Sequence, residues 1–237
     1  MRTRSPRTPG RGRLVEAAAY ATAELPRRGT PWREAAWCAL DFELTGLDHR
    51  RDEIISFGAI PIHDGRLQLR SAVYGLVRPE CPMDEAAIRV HGLRAVDLER
   101  APALADAIGP LLEAITGRVL VVHTAAVERA FLGRALRAHG LRLRGPIVDT
   151  EVLGRVWLHE RHGQGGEGLS LGSLAASLGL PAERPHDALG DALTTAQVFI
   201  ALATHFDARR PETVGGLTHA QRRLESIAAF NLGRLRG

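Results

Sequence analysis

The sequence predicts an α/β domain in which a mixed sheet lies between layers of helices over residues 35–207. Three features predict it. A β-meander opens the region, with the hairpin dipeptide Asp64-Gly65 between two strand-like runs. Short apolar runs then alternate with segments whose apolar residues recur at helical spacing. The region closes on helical segments alone. At 237 residues the chain is long enough for one large or two small domains with a sizeable core.

The elements follow in order. "MRTRSPRTPGRGR" (1–13) is rich in Pro, Gly and Arg and reads as a disordered tail. "LVEAAAYATAEL" (14–25) reads as a short helix that "PRRGTP" breaks, which makes 14–34 a helical extension. The first strand covers about 37–44 and the second 53–62; the third, 66–77, pairs with the second across the Asp-Gly turn. Residues 102–115 have helical periodicity. "RVLVVH" (118–123) is a continuous apolar run, as expected for a strand covered on both faces. "AAVERAFLGRALRAHG" (125–140) is a helix ending at a glycine cap. "PIVDT" (146–150) is a further strand, with Asp149 capping the helix that runs to about 160. "RHGQGGEG" (161–168) is a flexible loop, and 170–180 and 187–206 are helices. After a Pro/Gly-rich joint, 219–232 adds a last helix within a C-terminal extension, 208–237.

The bulk composition is that of an ordinary soluble protein: 45% hydrophobic and 24% charged. No apolar run reaches the ~18 residues needed to span a bilayer, so a membrane partner is not expected. The Arg-rich start leads into no apolar signal core, so the cytoplasm is the expected compartment, with a transit peptide as the alternative. Cys38 and Cys81 make neither a disulfide framework nor a metal knuckle; Cys38 reads as a small core residue. The net charge of +4 hides an uneven distribution. Residues 14–207 carry 20 Arg against 25 Asp and Glu, so the positive charge sits in the ends. Basic ends favour phosphate polymers without reading their sequence, or are simply solvated.

One stretch carries chemistry. In "CALDFELTGL" (38–47), Asp41 and Glu43 sit two apart on an apolar strand and so face the same way. Two like charges on an apolar face are costly unless something binds them. Strand ends are where sites form in such sheets. His123 ends one strand, Glu128 lies in the first turns of the next helix, His186 precedes the last long helix and Asp191 lies in its opening turns. Asp41, Glu43, Glu128 and Asp191 at one point would be neutralised by two divalent ions, and oxygen-only ligands suit Mg²⁺ or Mn²⁺. Such a pair serves in-line attack of water on a phosphodiester, and a histidine is suited to be the base. The bland readings are salt bridges for Asp41 and Glu43, a solvated Glu128 paired with Arg129 or Arg134, a helix-start acid for Asp191, and core or rim packing for Trp32, Trp37 and Trp157.

These motifs resemble a known family. "DFELTGL" resembles the Asp-x-Glu-x-Thr-Gly motif of the DEDD-type 3′–5′ exonucleases with a catalytic histidine (DEDDh, or DnaQ-like). "HTAAVERAFL" resembles their second motif, "HDALGD" matches their third, and "VHGL" (90–93) is similar to the segment between the first two. The family includes the epsilon proofreading subunit of bacterial DNA polymerase III, ribonuclease T and oligoribonuclease. The resemblance covers about 36–207 and implies a ribonuclease H-like fold, two Mg²⁺ or Mn²⁺, and hydrolysis at a nucleic-acid 3′ end. It implies that Asp41 bridges both metals, that Glu43 and Asp191 complete the tighter site with Glu128 serving the second, and that His186 is the base. It also implies that His91 holds the terminal nucleotide and that Thr45 and Gly46 offer it backbone N–H groups. His123 is expected to orient the second motif beside the substrate. Departures are Glu128 in place of Asp, Thr124 in place of Asn, and Leu44 in place of a common Thr.

Single-stranded DNA with a free 3′ end is the expected substrate, released as nucleoside 5′-monophosphates. The same chemistry on short RNA is the alternative, and a catalytically weak, polymerase-associated nucleic-acid-binding module is the reading from a different class. The 219–232 helix either docks a polymerase or other protein or packs on the domain. A homodimer is a further expectation, since related RNA-trimming enzymes form them.

Overall fold

The computed structural model describes residues 11–163, 168–181 and 185–225. Most of the basic tail, parts of the 161–168 loop and the end of the expected last helix lie outside them. The chain begins with α1 (Arg11–Thr22), β1 (Trp37–Leu44), β2 (Ile54–His63), β3 (Arg66–Leu67) and β4 (Val73–Leu76). It continues through α2 (Glu85–His91), α3 (Ala95–Leu98), α4 (Leu104–Ile115), β5 (Val119–Val122) and α5 (Ala125–Ala138). It ends with β6 (Ile147–Asp149), α6 (Thr150–His162), α7 (Leu171–Ser177), α8 (Ala188–Asp207) and α9 (Val214–Thr218). No helix among the described residues is long and apolar enough to cross a membrane.

The strands form one mixed sheet in the order β3-β2-β1-β5-β6, with β4 also on β2. β1 pairs antiparallel with β2 along its length, from Trp37 opposite Ile62 to Leu44 opposite Ile54, with a bulge between Glu43 and Leu44. On its other side β1 runs parallel to β5, but only over Trp37, Cys38 and Ala39. Beyond Ala39 the two strands have no mutual bonds, so a crevice opens beside Asp41 and Glu43. This is the strand-end opening where sheets of this class place their ligands.

Alternation along β1 divides the core. Cys38, Leu40, Phe42 and Leu44 join Ile108, Leu111 and Leu112 of α4 and Phe131, Leu132 and Leu136 of α5. Trp37 and Ala39 face the other way, into a cluster built on α8 with Ala192, Ala196, Phe199 and Ala203. Asp41 and Glu43 continue that α8 face. The small residues of α8 let it lie close over β1 and β2. At Gly58, opposite Asp41 in the ladder, an added Cβ would sit 2.1 Å from the Ala188 carbonyl oxygen. The missing side chain is therefore what brings the start of α8 down onto the sheet.

Two details differ from the sequence expectation. The single third strand is two short strands separated by a 3₁₀ turn at Leu69–Ser71. Residues 78–101 hold α2 and α3, which no apolar periodicity announces because α2 buries no residue fully. The flanking segments pack on the domain. An isolated antiparallel bridge joins Pro31 to Thr213, and Trp32, Val214, Leu217 and Ala220 enter the α8 cluster. Trp37 and Trp157 are likewise buried, as is Cys38. Residues 220–225 begin the helix expected at 219–232, and Ala220 packs on the domain. The start of α5 is strained: Thr124, its N-cap, has φ 63°, a conformation unfavourable for a β-branched residue.

Two stability outcomes follow. Gly58→Ala lowers the unfolding free energy by about 1–3 kcal/mol in a urea titration, through overpacking between β2 and α8. Thr124→Asn raises it by about 1 kcal/mol in the same titration, because asparagine tolerates the left-handed region.

Candidate active site

The expected acids converge. One carboxylate oxygen from each of Asp41, Glu43 and Asp191 lies within 4.8 Å of the others. Two come from β1 by strand alternation, and the third comes from the first turn of α8, seated by the Gly58 contact. Asp187 caps α8 by accepting the Gly190 N–H at 2.9 Å. The Asp191 carboxylate accepts the His186 backbone N–H at 2.8 Å, which holds the 186–191 turn closed. His186 has φ 61° and an exposed side chain at the mouth of the site.

Glu128 enters from the opposite helix layer, past the short end of β5. It is buried, and its Oε2 has no hydrogen-bond partner among the described residues. The solvated-helix reading therefore fails. Arg134 is engaged elsewhere, with its guanidinium on the carbonyls of His49 and Asp52. What aims Glu128 is Asp149 at the end of β6. Its carboxylate accepts N–H groups from Thr124 (3.2 Å), Ala125 (2.8 Å) and Glu151 (2.9 Å). The capping role expected for α6 is thus shared with α5, and Asp149 fixes both first turns.

The electrostatics are those of crowded acids in a partly buried crevice. Burial raises the Asp41 carboxyl well above its usual range, and Glu128, Asp191, Glu43 and Asp187 raise it further. Burial, Asp191 and Asp187 push Glu43 up to about 7. Glu128 is raised well above its ordinary value by burial and by Glu43, and Asp191 is raised mainly by burial. A buried carboxylate with no partner and three oxygens gathered to one point fit a divalent cation: hard oxygen donors, negative charge in excess, and no competing arginine bond on these groups among the described residues.

An apolar cleft of about 440 Å³ adjoins the acids, lined by Phe42, Leu44, Leu47, Val90 and Val127, with Glu43, Glu128 and His91 at its polar end. Gly46 also lines it, and a Cβ there would collide with the Asp52 and Asp84 carboxylates. His91 closes α2. Its Nδ1 accepts the Leu93 N–H at 3.0 Å, and its Nε2 lacks a partner of ordinary geometry. Burial lowers its pKa, the Leu44 carbonyl opposes that shift, and the nearby His186 reinforces it.

Thr45 and His123 make internal hydrogen bonds. The Thr45 N–H is spent on the Glu53 carbonyl at 2.9 Å, so it is not available to a ligand. Its buried hydroxyl donates to Asp52 and accepts from the Glu53 N–H, fixing the 45–53 loop. His123 contacts Thr150 Oγ1 through Nδ1 (3.0 Å) and the Leu169 carbonyl through Nε2 (2.9 Å), with its pKa lowered chiefly by burial. Both ring nitrogens are committed to tying β5 to α6 and the 168–170 segment. The sequence reading passed over Gly58 and the full role of Asp149. A glycine inside the apolar run "IISFGAIPI" was the available signal for the first.

Comparison with known proteins agrees with this geometry. The sequence profile of a family described as exonuclease matches residues 38–199. A DNA polymerase III subunit epsilon-like protein of Rhodobacter capsulatus is 33% identical over 191 residues, 79% of this chain and 26% of that protein. The chain spans about a quarter or less of the length of the curated relatives it matches first. Among solved structures, exonuclease X in complex with 5′-overhanging duplex DNA superposes with a TM-score of 0.58 at 20% identity, covering 78% of this chain and 98% of the other. The nuclease domain of 3′hExo, a DEDDh family member bound to rAMP, gives 0.58 at 16% identity, covering 75% and 94%. These two likenesses carry the ribonuclease H-like fold. With the profile match over most of its length, the chain belongs to the exonuclease family, and its motifs are similar to those of the DEDDh, DnaQ-like branch.

Proposed function

We propose that the chain is a metal-dependent 3′–5′ exonuclease that hydrolyses the terminal phosphodiester of a single strand, with DNA as its first substrate, and releases nucleoside 5′-monophosphates. The observation that carries the reading is the meeting of Asp41, Glu43 and Asp191 oxygens within 4.8 Å, beside a buried, unpartnered Glu128. Asp41, Glu43, Asp191 and Glu128 would hold two Mg²⁺ or Mn²⁺. When bound, such ions neutralise the carboxylates and the charge that develops on the phosphate.

The chain's own groups divide the remaining work. The apolar cleft takes the terminal nucleoside against Phe42, Leu44 and Val127 and excludes water from its faces. His91 and the Gly46 backbone bound the sugar end. His186 stands exposed beside Asp191, on a turn pinned by its own N–H, and takes the proton of the attacking water. Glu is one methylene longer than Asp, and the bulk of that side chain is accommodated by burial at the α5 first turn. Residues 35–207 carry this chemistry, while 14–34 and 208–225 brace it through Trp32 and Val214. The exonuclease X and 3′hExo structures hold deoxy and ribo ligands respectively, so a matched pair of oligonucleotides is the direct test of sugar choice.

Four outcomes are expected. With 5′-labelled single strands, Mg²⁺ or Mn²⁺ yields a descending ladder and EDTA none. Asp41→Asn removes cleavage by at least about 10³-fold without lowering the melting temperature, and an undiminished ladder from that variant refutes the reading. Glu128→Gln costs about 10²-fold in kcat in the same assay. The fourth concerns pH. Each acid of the cluster has a folded pKa above its unfolded value, so its contribution to stability is present at low pH and lost as pH rises through the folded pKa. Metal-free protein therefore melts progressively lower between pH 4.5 and about 7, the window set by Glu43. Added Mn²⁺ raises the melting temperature more at pH 8 than at pH 5, read by calorimetry.

A further inference from the structure

The five arginines of residues 129–148 have no acidic residue among them, although residues 14–207 as a whole carry more acid than base. Two of the five are used internally. Arg134 binds carbonyls of the 45–53 loop, and Arg144 binds the carbonyls of Tyr20 and Ala23. The other three, Arg129, Arg137 and Arg142, are exposed and have no ion pair among the described residues. They line one groove of about 690 Å³, with Gly133, Gly140, Leu141 and Leu143.

The groove is built by helix geometry. Arg129, Gly133 and Arg137 lie at i, i+4 and i+8, on one face of α5. Gly133 supplies a floor with no side chain between the two guanidiniums; a Cβ there would touch Arg137 Nη1 at 3.4 Å. Arg142 faces them from the segment after α5. Arg129 and Arg137 are separated by about 12 Å along the axis. The upper end of this track is next in sequence to Glu128, which lines the acidic site. A row of unpaired guanidiniums on a concave surface suits successive phosphates, which arginine binds through its planar fork.

We infer that the α5 groove, formed by Arg129, Arg137 and Arg142 across Gly133, holds the phosphodiester backbone of the nucleic-acid strand outside the reaction centre. It rests on the nuclease reading only for the direction of the strand. The groove sets affinity for long substrates, while the apolar cleft and the acids act on the terminal nucleotide. Arg137 lies nine residues beyond Glu128, about 13 Å along the axis, so a dinucleotide held at the acids reaches at most the Arg129 end of the groove.

The test uses the full chain and the triple variant Arg129→Gln/Arg137→Gln/Arg142→Gln. The control is Arg66→Gln/Arg70→Gln/Arg210→Gln, which removes equal charge from exposed positions at the opposite sheet edge and beyond α8. Binding of 5′-fluorescein 20-mers of DNA and of RNA is read by anisotropy in EDTA, where no hydrolysis occurs. The groove variant is expected to bind both sugars roughly 10–100-fold more weakly, and its slope of log affinity against log salt falls by about 2. The control binds as wild type, and both variants keep the wild-type melting temperature. Where cleavage is measured, kcat/KM on a dinucleotide stays within about twofold of wild type. Equal losses in the control, an unchanged salt slope, or equal displacement of the 20-mer by poly-glutamate of matched charge would each overturn the groove. Arginine-dependent binding without cleavage by wild type in Mg²⁺ or Mn²⁺ would leave the groove standing and remove the nuclease reading.

Discussion

The mutual repulsion of buried carboxylates is the constraint around which this molecule is arranged. Asp41, Glu43, Glu128 and Asp191 are brought from a strand and two helices into a partly buried crevice, and each is harder to ionise for it. Such a site is unstable by itself and becomes favourable when positive charge enters. The rest of the fold can be understood as the framework that holds these groups together against their own repulsion.

That framework uses few devices. β1 outruns β5, so its last acids border an opening and not a neighbouring strand. Gly58 admits α8 to backbone contact with β2, which sets Asp191 against Asp41. Asp149 hooks the first turns of α5 and α6 together, and a strained Thr124 is held between them. Bulky apolar residues on both faces of the sheet, from Trp37 and Phe199 on one side to Phe131 and Leu111 on the other, supply the burial that offsets the electrostatic cost.

Much of this was legible in the linear pattern. The alternation of "CALDFEL" fixed both the strand and the shared face of its acids, because side-chain direction on a strand depends only on parity. The helix carrying Asp191 was visible from local spacing, as was the burial of Cys38. The break in the third strand and the helices α2 and α3 were not, since short exposed elements have no periodic apolar face.

The sequence by itself determined which residues bear charge on which side of each element, and the order of motifs that marks an exonuclease. Tertiary structure alone decided which of them meet. It assigned Thr45 and His123 to internal hydrogen bonds, left Glu128 without a partner, and turned Arg134 inward while Arg129 and Arg137 stayed exposed. The reason is physical. Parity and helical period are properties of neighbouring residues, whereas hydrogen-bond partners and close backbone approaches are settled between segments far apart in the chain.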